Sequence, residues 1–109
     1  MLNHHIHYIR NANGVPVGCV AFRDVYGKDT LIHVEYGFSV HNPSDTWNRK
    51  LARQIAIGRM VESPFRIKGD PTWNISRTIQ EVVMDISRQN VPKRIKREAS
   101  RSPMIDLPF

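Results

Sequence analysis

Cysteine is almost absent from this sequence: Cys19 is the only one in 109 residues, which excludes an internal disulfide and a cysteine-rich zinc site. No basic neighbour in sequence lowers its pKa, so it reads as a small buried apolar residue. No serine sits in a nucleophile elbow, and the carboxylates are scattered, so no catalytic constellation assembles. Gly18, Gly27 and Gly37 are spaced by strands and turns and form no glycine-rich phosphate loop. These absences predict a protein that is not an enzyme and needs no cofactor. No apolar run reaches the roughly 18 residues needed to cross a bilayer, and Met1 to Arg10 lacks a signal peptide's apolar centre, so a cytoplasmic protein is expected. Internal repeats and low-complexity tracts are also missing.

What is present describes one folded domain spanning 1–109. A hydrophobic content of 40% and a charged content of 24% are ordinary globular values. A chain this short builds a modest core and gains from association with a copy of itself. The net charge of +6 is unevenly placed. Residues 1–40 balance Arg10, Arg23 and Lys28 against Asp24, Asp29 and Glu35, leaving 13 of the 16 Lys and Arg and 7 of the 10 Asp and Glu in residues 41–109. A basic half beside a neutral half points to an anionic partner, nucleic acid or a smaller phosphate-bearing molecule. A membrane surface fits less well, because neither predicted helix joins a lysine-rich face to a large apolar one.

In chain order, the pattern predicts an antiparallel sheet over 1–41. Asn3 to Arg10 alternates weakly and meets the hairpin signal Asn13-Gly14. Val15 to Val25 follows, with Pro16 marking an edge or a strand start and Gly18 a bulge or close approach. Tyr26-Gly27-Lys28-Asp29 turns into Thr30 to Val40, rich in β-branched and aromatic residues as a central strand would be. A helix is predicted over 43–61, capped by Asn42, with Pro43 at its first position and Asp45 in its first turn. Its wheel groups Trp47, Leu51, Ile55 and Gly58 as the core stripe, turns Arg49 and Arg53 away and sets Arg59 at the border. Gly58 inside that stripe suggests close approach of another backbone. Residues 62–71 read as a loop, and a second helix over 72–91 shows Ile75, Ile79, Val82, Val83 and Ile86 on one side, starting near Asp70 or Asn74. A basic segment and apolar tail occupy 92–109. The predicted class is α+β, an N-terminal antiparallel sheet of three to four strands with two following helices packed on it.

His4, His5, His7 and His33 are the candidates for a metal, and His5 and His7 share a strand face. No cysteine joins them and no carboxylate precedes Asp24, so a partly exposed polar face is the expectation and no metal site is assigned. Anion binding is better supported. Arg49, Lys50, Arg53 and Arg59 on the first helix, with Lys93, Arg94, Lys96 and Arg97 beyond the second, supply phosphate donors. Phe65 and Trp73 offer faces for base stacking, whereas Trp47 reads as core.

Gly14-Val15-Pro16-Val17-Gly18-Cys19-Val20-Ala21, Tyr36-Gly37-Phe38-Ser39-Val40 and the run from Asn42 to Arg59 resemble the small phage proteins of the first Thoeris anti-defence type. The resemblance covers about residues 14–61 and continues more weakly through the second helix and basic segment. It implies a sponge that sequesters cyclic ADP-ribose isomers without cleaving them in the host bacterial cytoplasm, and thereby inhibits Thoeris immunity. Some members also bind cyclic oligonucleotides, so cyclic dinucleotides or trinucleotides are further expected ligands. The resemblance also implies a homo-oligomer, an interlocked dimer that can assemble into a hexamer, with ligands at subunit interfaces. A cyclic ADP-ribose isomer needs arginine for its diphosphate and an aromatic face for its adenine. On that chemistry Arg94 and Arg97 are expected to take the phosphates and Phe65 the base, with Arg23, Asn48 and Arg53 as polar partners. The alternative expectation is a phage nucleic-acid-binding protein whose basic surfaces track a backbone.

Overall fold

Segments rich in β-branched and aromatic residues form the sheet, as their composition dictates. In the computed structural model, which describes residues 4–28, 30–41 and 46–89, these are β1 (His5–Arg10), β2 (Pro16–Gly27) and β3 (Thr30–Val40). The hairpin signal holds: Gly14 takes φ +78°, and the Asn11 side chain accepts from the backbone N–H groups of Asn13 and Val15 at 2.9 and 3.0 Å. Pro16 opens β2, where its missing donor costs nothing, and a bulge interrupts the β1–β2 ladder between Ile9 and Arg10.

A fourth strand, β4 (Phe65–Lys68), corrects the loop expected over 62–71. It pairs antiparallel with β3, Phe65 opposite Tyr36 and Arg66 opposite Glu35, and gives the strand order β1-β2-β3-β4. The chain is therefore α+β, an antiparallel four-stranded sheet with two helices.

Helix α1 (Arg49–Glu62) starts later than expected. Asn48, not Asn42, is the N-cap: its side-chain oxygen accepts from Leu51 N–H at 3.0 Å, and Thr46 and Trp47 are non-helical. The expected cap and first turn at 42–45 lie outside the described residues. Helix α2 (Ile75–Ile86) is capped by Asn74, which accepts from Arg77 N–H at 2.8 Å and so decides between the two expected starts. The expected continuation of this helix to 91 stops at Ile86, followed by a turn through Gln89.

Strand alternation gives the sheet two unlike faces, and each receives one helix. Ile9, Val20, Phe22, Val34, Tyr36 and Phe38 pack against Ile79, Val82, Val83 and Ile86 of α2. Four of the five apolar positions expected on α2 are thus core, and Ile75 is exposed. Each such buried side chain contributes about 1.5–3 kcal/mol. The opposite face is floored by small residues, Cys19 and Ala21 beside Gly37 and Ser39, and α1 lies on it through Ala52, Ala56 and Met60.

That floor corrects the expected core stripe of α1. Leu51 and Ile55 are exposed and Trp47 is half-buried against Tyr8 and His41. The helix sits too close to the sheet for branched side chains to fit between them, so alanines occupy the contact. Gly58 has no atom within 4 Å of an added Cβ, whereas a Cβ on Gly37 would lie 2.2 Å from Met60 N and 2.6 Å from Ala56 O. The close approach therefore belongs to Gly37. Replacing Gly37 with Ala should destabilise the fold by at least about 2 kcal/mol, because the clash is with backbone. Gly58→Ala should stabilise it by about 0.5–1 kcal/mol through helix propensity. Urea denaturation of the two variants checks both signs.

Candidate functional site

The small-residue face of the sheet carries polar residues where α1 no longer covers it. Cross-strand register aligns Arg23 of β2, Glu35 of β3 and Arg66 of β4 in one row. Glu35 is only 6% exposed and receives both guanidinium groups. Arg23 donates from Nε to Oε1 at 2.9 Å, with Nη2 at 2.8 Å from the same oxygen, and Arg66 donates from Nε to Oε2 at 2.8 Å. Burial alone pushes the Glu35 carboxyl up, but the hydrogen bonds and charges of Arg23 and Arg66 outweigh it and hold the group below its ordinary value. His33 Nε2 lies 3.6 Å from Oε2, and Lys68 pairs opposite His33 in the next row.

The other face of the same edge is aromatic. Phe65 stacks on Tyr36 and Phe38 with centroids 5.4 and 5.8 Å away and ring planes within 26° of parallel. Tyr36 and Phe38 are core, whereas Phe65 is 40% exposed. The Tyr36 hydroxyl donates to Asp85 Oδ2 at 2.6 Å, and burial followed by the Asp85 carboxylate raises its pKa. Gln89 Nε2 also reaches Asp85, at 3.2 Å, so the C-terminal end of α2 is tied to the stack. At the same edge Arg59 Nη1 donates to the Phe38 carbonyl at 2.8 Å.

The residues expected at the site fall into different places. Arg23 belongs to the polar row and Phe65 to the aromatic stack, so the sheet separates them. The Asn48 side-chain oxygen caps α1. Arg53 is exposed on α1 and lines a shallow cavity of about 270 Å³ with Lys50, Gln54 and Ile57. Arg94 and Arg97 lie outside the described residues. Arg49, expected to point away from the core, donates to the Tyr8 hydroxyl at 3.0 Å and stands 5.0 Å from that ring. Glu35 and Arg66 were not expected. Their signal was the alternation of Phe65-Arg66-Ile67-Lys68, too short to mark a strand by itself.

The expected face-sharing of His5 and His7 holds by register, opposite Phe22 and Val20, and the His5 ring lies tilted against Phe22 with centroids 5.2 Å apart. His33 is on the other face, with β2 between it and β1. Among the described residues no three His, Cys, Asp or Glu side chains form a group able to hold a metal ion. Cys19 is buried, and burial pushes its thiol up to about 12 despite the opposing charges of Arg53 and Arg49. No helix among the described residues is long and apolar enough to cross a membrane.

Fold and edge together define a small α+β protein with guanidinium groups and an exposed ring on opposite sides of one edge strand. No known family, curated protein or solved structure matches the chain.

The ion row makes a pH prediction. Because the Glu35 pKa is lowered on folding, its contribution is fully present above the unfolded value near 4.3 and is lost as pH falls through the folded value. The parent should therefore lose more stability than Glu35→Gln between about pH 5 and 2. Urea midpoints measured across that range for both proteins provide the check.

Proposed function

We propose that this protein is a sponge: it binds a cyclic ADP-ribose isomer and holds it intact, as the resemblance to the first Thoeris anti-defence type implies. The observation that carries the reading is the edge strand β4, where the exposed Phe65 ring extends a stack of near-parallel rings and the next residue is an arginine with a 59% exposed side chain. A purine adds to such a stack as one more plate, and a diphosphate accepts from guanidinium N–H groups. The reading assigns no catalytic residue, in keeping with a single thiol that is buried and held protonated. It places the protein in the cytoplasm of the host bacterium, where the signal is made. Phe65 and Arg66 are open in one chain, so the reading also calls for a homo-oligomer that encloses the ligand, a dimer or a higher assembly of dimers. Cyclic dinucleotides and trinucleotides offer the same base and phosphate chemistry and are secondary ligands.

Calorimetry with cyclic ADP-ribose isomers tests the reading. Saturable binding is expected, with the ligand recovered unaltered after denaturation of the protein. Phe65→Ala should weaken binding by about 1–3 kcal/mol, the loss of one stacked base. Binding only to DNA or RNA with a steep salt dependence would replace the sponge by a nucleic-acid-binding protein. Recovery of linear product would replace it by a hydrolase.

A further inference from the structure

The polar row on the α1 side of the sheet has donors that Glu35 does not use. Arg66 reaches the carboxylate through Nε, and its side chain is 59% exposed. A guanidinium carries five N–H donors, so the Nε bond accounts for one of those of Arg66. Arg23 spends Nε and Nη2 on one oxygen, Oε1, out of the same five donors. Two guanidinium groups stand against one carboxylate, so the row keeps positive charge after Glu35 is neutralised. Lys68 lies two residues along β4 on the same face, its charge also acting on Asp70, and His33 borders the row at 3.6 Å from Glu35.

Arg23 and Arg66 belong to strands two places apart, which sets their backbones about 10 Å from each other. The single Glu35 carboxylate draws their side chains toward one another and holds each through Nε, so less rotamer freedom is left to lose on binding. We infer that Arg23 and Arg66, held by Glu35, form a clamp for a diphosphate group, each guanidinium presenting N–H donors to one of the two phosphoryl units. The clamp lies on the sheet face opposite Phe65. It rests on the reading above for the physiological ligand, whose diphosphate it would take, but the chemistry is defined without it.

Inorganic pyrophosphate is the probe. It is titrated at constant ionic strength while the arginine Nε–H resonances are followed by NMR. The signals of Arg23 and Arg66 should move together and saturate, and Arg66→Gln should weaken binding by about tenfold or more, as loss of charged hydrogen bonds requires. Arg66→Lys keeps the charge and loses the fork, and it too should weaken binding severalfold. Unmoved arginine signals up to millimolar pyrophosphate, or parental affinity in either variant, overturns the clamp. Arg23 still pairs the Glu35 carboxylate in both variants, and an unchanged amide spectrum verifies that the fold is kept. The two readings fail separately. Arg66-dependent pyrophosphate binding with no uptake of any cyclic ADP-ribose isomer upholds the clamp and removes the sponge. Isomer binding equal in the parent and Arg66→Gln, with pyrophosphate silent, does the reverse.

Discussion

The rest of the structure depends on the backbone of α1 resting on Gly37. An added Cβ there would meet Met60 N at 2.2 Å, a distance that no packed side chain tolerates. The neighbouring floor of Cys19, Ala21 and Ser39 extends the same low surface, and the Ser39 hydroxyl donates to the Ala52 carbonyl at 3.0 Å. Only Ser63 and Pro64 separate α1 from β4, so the seat of the helix determines where the edge strand can begin. The edge strand in turn brings Arg66 to Glu35 and Phe65 to Tyr36. One missing methyl group on β3 thus sets the geometry of both polar and aromatic sites.

Glu35 supplies the second constraint. A buried carboxylate costs several kcal/mol unless it is paired and hydrogen-bonded, and the two arginines more than offset that cost. Its larger consequence is register. β4 has four residues, and slipping by one would place Arg66 and Lys68 against the Tyr36 and Val34 side of the sheet while exposing Phe65 and Ile67 on the polar side. A strand so short carries little other information about its alignment. The carboxylate at Glu35 supplies it.

Much of the fold was legible because the signals were local. The Asn13-Gly14 turn, the three long strands and the stripe from Ile79 to Ile86 each arise from residues close in sequence. Helix α1 was misread for a physical reason. Hydrophobicity marks Leu51 and Ile55 as core, but the floor beneath the helix admits only Ala52 and Ala56, with Met60 at its far end, and that floor is made by other strands. Pro43 and Asp45 make Asn42 the better cap in sequence, and the Leu51 N–H bond identifies Asn48 as the cap of α1. The polar row was hidden for the same reason as the floor. Arg23, Glu35 and Arg66 are far apart in the chain, and cross-strand register alone brings them together.

The placement of the ring and the clamp on opposite faces bears on how a ligand would be enclosed. Layers packed on a sheet lie about 10 Å from it, so a molecule stacked on Phe65 does not reach Arg23 through the strands. It can pass only around the edge of β4, next to the stretch of β3 beyond Tyr36 that β4 does not pair and where Arg59 holds the Phe38 carbonyl. Under the proposed reading, a second copy solves this more simply, with the ring of one chain and the guanidinium groups of another meeting the same ligand. The thinness of the sheet edge then becomes the functional feature. Adjacent residues of a four-residue strand would serve two different ligand-binding surfaces, because strand alternation sends Phe65 one way and Arg66 the other.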